Sequence, residues 1–100
     1  MAKKIDGVIE AARFKNGQIT FVRAYERRGF TFSDWVVLDR KSLLERLQKG
    51  KNFLTGSRED LMASTFKTQK PVILIKENGH EYIATHENAK RDELENVPFF

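Results

Sequence analysis

Two Asn-Gly dipeptides, Asn16-Gly17 and Asn78-Gly79, constrain this chain more than any other feature. Each lies between runs rich in β-branched and aromatic residues. Both loop residues of a type I′ hairpin need φ > 0, and Asn followed by Gly meets that demand at little cost. Each dipeptide therefore predicts a hairpin, and a two-residue loop dictates which side chains face one another.

The first loop joins a strand from about Lys3 to Phe14 to one from Gln18 to Arg28. It sets Phe14 against Ile19, Ala12 against Phe21, Glu10 against Arg23, Val8 against Tyr25 and Asp6 against Arg27. A second tight turn at Arg28-Gly29, less well suited because Arg resists φ > 0, leads to a third strand from Phe30 to Leu38. That turn sets Arg23 against Asp34, Tyr25 against Phe32 and Phe21 against Val36. The two registers together predict a structural ion network, Glu10–Arg23–Asp34, between apolar rows. Cross-strand pairs of opposite charge contribute roughly 0.2–1 kcal/mol each. The second Asn-Gly loop joins Val72–Glu77 to His80–His86 and pairs Ile75 with Tyr82, Leu74 with Ile83 and Lys76 with Glu81.

One helix is predicted, from about Arg40 to Lys49. Asp39 stands at its N-cap, Leu43, Leu44 and Leu47 form an apolar stripe, and Gly50 occupies the C′ position. Lys51–Thr55 reads as a short strand, and Leu61–Lys67 as a strand or a helical turn capped by Ser57. Lys90–Glu95 reads as a short C-terminal helical turn. The final residues, Val97-Pro98-Phe99-Phe100, either dock on the body or are offered to a partner. No linker or repeat divides the sequence, so residues 1–100 are expected to form a single domain. Its class is α+β and β-rich, built as a mostly antiparallel twisted sheet or a partly open small barrel.

Composition limits the function classes. With no cysteine there is no disulfide framework, thiolate metal site or cysteine nucleophile. No apolar run approaches the roughly 18 residues of a membrane span, and Asp6 interrupts the start before any signal-like segment forms. A cytoplasmic protein with no membrane partner is the expectation. The net charge of +4 is uneven: the first fifty residues hold 11 Lys/Arg and 6 Asp/Glu, the last fifty 7 and 8. Such a bias suits acidic partners or nucleic acid, and equally a plain solvated surface.

Several groupings invite a chemical reading. The segment Arg23–Phe32 interleaves cations and rings, as single-strand binders do. Pairing consumes Arg23 and leaves Arg27, Arg28 and Phe30 as the candidate binding residues. His80 and His86 share a strand face but lie about 20 Å apart at roughly 3.3 Å per residue, too far to converge on a metal. Thr55-Gly56-Ser57-Arg58 resembles a small anion nest without the lysine or length of a P-loop. Glu10 and Asp34 are two carboxylates, but an intervening arginine would keep both ionised, which ill suits acid–base work. No nucleophile-and-base motif or dinucleotide fingerprint is present. The expectation is a small non-catalytic binding or accessory module acting through protein–protein contact, without a cofactor. Nucleic-acid binding, to single strands or RNA, is the alternative, and exposed hairpin edges also permit a homodimer.

Overall fold

The computed structural model describes residues 5–28, 31–32, 35–58, 66–94 and 97–100. Strands β1 (Gly7–Lys15) and β2 (Gln18–Arg28) form the first hairpin, with Asn16 and Gly17 both at positive φ, 54° and 77°. Short strand β3 (Thr31–Phe32) and β4 (Val36–Asp39) both pair with β2 on its other edge. Helix α1 (Arg40–Gln48) follows, then β5 (Phe53–Arg58) and β6 (Phe66–Pro71). The main sheet runs β3-β2-β1-β5-β6, with β4 beside β2. A separate hairpin joins β7 (Ile73–Glu77) to β8 (His80–Ala84) across Asn78 and Gly79, at φ 51° and 81°. The domain is α+β and β-rich, and its sheets do not close into a barrel.

Helix α1 explains the parallel pairing of β5 with β1. β4 and β5 run in the same direction, and two parallel neighbours cannot be joined by a tight turn. The chain therefore crosses over β2 and β1 through α1 before β5 pairs with β1 along Gly7–Ile9. Asp39 caps the helix by accepting the Ser42 N–H at 2.8 Å, which holds its carboxyl below the ordinary carboxylate range. At the other end, Gly50 adopts φ 80°. The Gly50 N–H reaches the Leu47 carbonyl and the Lys51 N–H reaches that of Arg46, both at 3.1 Å, which is a Schellman cap.

The helix and the second hairpin cover one face of the main sheet. Ile9, Ala12, Ile19, Val22, Ala24, Leu38, Leu43, Phe53 and Ile83 make up the core there. Phe53 lies over Gly7 so closely that a Cβ at Gly7 would overlap the ring. Gly56 answers a similar need, because a Cβ there would run into the Lys67 carbonyl of β6.

The register of the second hairpin is the one its turn dictates: Leu74–Ile83, Ile75–Tyr82 and Lys76–Glu81. The first hairpin departs from its turn in the middle. Phe14–Ile19 and Val8–Tyr25 pair as expected, but Ala12 meets Val22, Arg13 meets Phe21 and Ala11 meets Arg23. The register shifts twice: Thr20 is the extra residue on β2, and Glu10 the extra residue on β1. Bulges of this kind turn a strand over, so the residues beyond them point to the other side of the sheet. The Thr20 hydroxyl donates to the Arg13 carbonyl at 3.0 Å, so the side chain of the bulged residue is itself hydrogen-bonded to the partner strand.

The third strand differs too. Arg28 pairs with Thr31 and so belongs to β2 rather than to the turn expected at Arg28-Gly29, and Gly29 itself lies outside the described residues. Farther on, Phe21 meets Asp39, Arg23 meets Val37 and Ala24 meets Val36. The expected pairing of Arg23 with Asp34 is thus replaced by one with Val37, and Asp34 itself lies outside the described residues. Residues 90–94 form bends rather than the expected helical turn. Glu93 bridges to Ala84, its N–H bonding the Ile83 carbonyl (2.9 Å) and its carbonyl the Thr85 N–H (3.0 Å). Those bonds draw the segment onto the hairpin edge, an extended geometry that excludes a helix. Thr55–Arg58, the possible anion nest, is part of β5. Among the described residues, no helix is long and apolar enough to cross a membrane.

Candidate functional site

The two bulges and the third-strand register determine what the sheet face opposite α1 presents. On β2 the residues facing away from the core are Phe21, Arg23 and Tyr25; on β4 they are Val37 and Asp39, with Trp35 just before them. Phe21 was expected to face Ala12. The Thr20 bulge turns it outward to 39% exposure, and Val22 takes its place in the core. Trp35 is 54% exposed and Val37 48%. Three large apolar side chains therefore share one exposed surface.

Arg23 is the centre of that surface. Its guanidinium lies 5.1 Å from the Trp35 ring centre and 5.0 Å from that of Phe100. Both rings are within the range of a cation–π attraction, worth roughly 0.5–1 kcal/mol apiece where exposed. Arg13 meets the Phe100 ring at 4.9 Å and donates from Nε to the Phe100 carbonyl at 3.0 Å. Glu10, swung out by its bulge, reaches both Arg23 (Nη1 to Oε1, 3.6 Å) and the Tyr25 hydroxyl, which donates at 2.8 Å. The Glu10–Arg23 ion pair thus forms diagonally, although the strand register does not place the two residues opposite each other.

The other candidate residues lie elsewhere. Arg27 donates from Nε to the Ile5 carbonyl, and its own N–H bonds the Asp6 carbonyl at 2.8 Å. The Arg28 side chain and Phe30 lie outside the described residues. His80 stacks on Tyr82 at 6.4 Å, while His86 faces Glu93 at 3.4 Å, so each has its own neighbour.

One site had no counterpart in the sequence reading. Asp92, its side chain 1% exposed, accepts the N–H of Ile19 (2.8 Å) and of Ile83 (2.9 Å). It also forms an ion pair with Arg40, whose second nitrogen donates to the Glu81 carbonyl at 2.9 Å. One carboxylate thereby ties β2, β8 and the start of α1 together. Nothing in the spacing of residues 90–95 marks it out, since a lone Asp in a polar segment reads as surface.

Comparison with protein-family models, with curated proteins and with solved structures returned no match. The functional reading therefore rests on the geometry of the chain itself.

Proposed function

We propose that this chain is a small non-catalytic binding module of the cytoplasm, acting on another protein through the face that carries Phe21, Arg23, Trp35 and Val37. The observation that carries the reading is the gathering of three exposed apolar side chains around an arginine already held between two rings. Aromatic residues and arginine dominate the energetic centres of protein interfaces. A guanidinium fixed in advance loses little rotamer freedom on binding, so more of the contact energy is retained as affinity. The cations here are also committed: Arg23 to Glu10 and two rings, Arg13 to the Phe100 carbonyl and its ring.

The test compares the wild-type chain with Val37→Glu and Trp35→Ala, each first shown to keep its melting temperature. Partners captured by the wild type are purified and titrated into each chain by calorimetry, since Trp35 is the single tryptophan and its emission is lost in Trp35→Ala. A saturable change that Val37→Glu abolishes supports the reading. Partners that bind both surface variants as well as the wild type would refute it.

The second reading is nucleic-acid binding through Arg27, Arg28 and Phe30. The ring–guanidinium stack on an open sheet face favours it, because bases stack on such faces. Its test is titration with single- and double-stranded oligonucleotides at two salt concentrations. Binding that weakens steeply with salt and with the double variant Arg27→Ala/Arg28→Ala supports it, and absence of binding at low salt removes it.

A further inference from the structure

Strand β1 has an edge that its sheet neighbour covers only in part. β5 pairs with β1 at Gly7, Val8 and Ile9 and then diverges. Beyond that point the edge is taken by the chain's own residues 97–100, running parallel to β1. The Ala12 N–H bonds the Pro98 carbonyl at 2.9 Å, and the Phe100 N–H bonds the Ala12 carbonyl at 3.3 Å. The next bond of a parallel ladder would need an N–H at position 98, and Pro98 has none. Among the described residues, the pairing supplies two backbone hydrogen bonds at this point.

The rings of this segment fall on opposite sides of the sheet. Phe99 meets Phe14 edge-on, with centres 5.6 Å apart and planes at 81°, while Phe100 lies over Arg13 and Arg23. Neither side is filled. Phe99 remains 76% exposed, beside a groove of about 280 Å³ lined by Phe14, Leu94 and Val97. On the other side a cavity of about 420 Å³ lies among Glu10, Ser57, Gln69 and Phe100.

We propose that the β1 edge at Ala12 is a recognition slot for an extended peptide of the pattern apolar–Pro–aromatic–aromatic, filled here by residues 97–100 and open to a partner protein's segment by exchange. The bound segment shows what the slot accepts: a strand with one ring against Phe14 and the next over two guanidinium groups. The unfilled space shows what a better ligand adds. A bulkier side chain at the Phe99 position would fill the groove. A hydrogen-bonding group directed at Glu10, Ser57 and Gln69 would use the cavity. This is strand addition at a sheet edge, in which backbone bonds supply affinity and flanking pockets supply selectivity. The slot shares Arg23 with the patch around Trp35, but Phe14 and Phe99 belong to the slot alone and Val37 to the patch alone, so variants at those positions let either site fail without the other.

Because residues 97–100 are tethered, they compete at an effective concentration of the order of millimolar. The experiment therefore uses the full chain carrying Phe99→Ala and Phe100→Ala, titrated with a synthetic peptide of residues 93–100 and followed by calorimetry and Trp35 emission. Saturable binding at least 10-fold tighter than to the wild-type chain is expected, and a peptide with both Phe replaced by Ala should bind at least 10-fold more weakly. No saturable binding to the variant, or equal binding to variant and wild type, overturns the proposal. A second measurement needs no substitution. In the wild-type chain the Ala12 amide should exchange with deuterium at least 10-fold faster than the Val72 amide, which bonds the Phe53 carbonyl at 2.8 Å. Equal rates would mean that the segment leaves only on global unfolding, and the proposal falls. A wild-type dimer that is lost in the double variant would assign the slot to a second copy and overturn the partner-peptide reading.

Discussion

Replacing Asp92 with Ala should be among the most destabilising single changes in this protein. The substitution removes the acceptor for two buried backbone donors, Ile19 N–H and Ile83 N–H, and the partner of Arg40. Each orphaned buried donor costs roughly 1–3 kcal/mol. Breaking a buried ion pair from one side costs roughly 3–5 kcal/mol in all. Arg40 is 22% exposed and keeps the Glu81 carbonyl, so part of its charge is solvated and the lower half of that range applies. A loss of about 3–4 kcal/mol is expected, a large fraction of the roughly 5–15 kcal/mol that holds a domain folded. At roughly 4–8 °C per kcal/mol for a chain of this size, melting should fall by about 12 °C or more. Asp92→Asn should lie between, since one amide oxygen replaces two carboxylate oxygens and its NH₂ group faces donors. Urea unfolding followed by far-UV circular dichroism and by Trp35 emission measures both. An Asp92→Ala variant within 1 kcal/mol of wild type would show that water or a local shift satisfies the freed groups, and the account of Asp92 as the tie between two sheets and the helix would be wrong.

Two further outcomes follow from the same structure. Gly56→Ala drives a methyl group into the Lys67 carbonyl and should cost roughly 1–3 kcal/mol by thermal melt, with β6 displaced. The Asp39 carboxyl is held below its ordinary value of 3.8, chiefly by the Ser42 N–H, so the unfolded chain binds its proton more tightly. Its contribution to stability is complete above that ordinary value and is lost as pH falls through the lower folded one. Asp39→Asn should therefore flatten the acid limb of a melting-temperature profile below about pH 4, and an unchanged profile would argue against the cap.

The sequence was most legible where a local rule acts alone. Both Asn-Gly loops adopt positive φ at both residues, the second hairpin keeps its register throughout, and α1 starts and stops at Asp39 and Gly50. The ends of the first hairpin were legible for the same reason, but its middle was not. A bulge inserts a residue without any compositional sign, and Thr20 and Glu10 are unremarkable in a strand. Because Phe21 changes sides there, the exposed patch was invisible to a reading that assumed unbroken alternation. The third strand failed differently: its register against β2 slips by one residue between the Arg27–Phe32 pair and the Ala24–Val36 pair, so Val37 and Trp35 fall on the face opposite to the one assumed. Asp92 and the parallel β1–β5 pairing depend on contacts between distant segments, which spacing does not record.

The paired bulges have a consequence for how this surface can change over time. Loss of Glu10 alone, or of Thr20 alone, would leave one end of the hairpin out of step with its turn or its core. Loss of both would restore a straight ladder with Ala11–Arg23, Ala12–Val22 and Arg13–Phe21 still paired, so Phe21 would stay outward and Val22 inward. The bulges thus set a phase offset between the two strands, open over three residue pairs and closed at either end. A lineage can therefore shed both bulges through a compensated pair of single-residue deletions while Phe21 and Arg23 keep their face, whereas either deletion alone breaks the register.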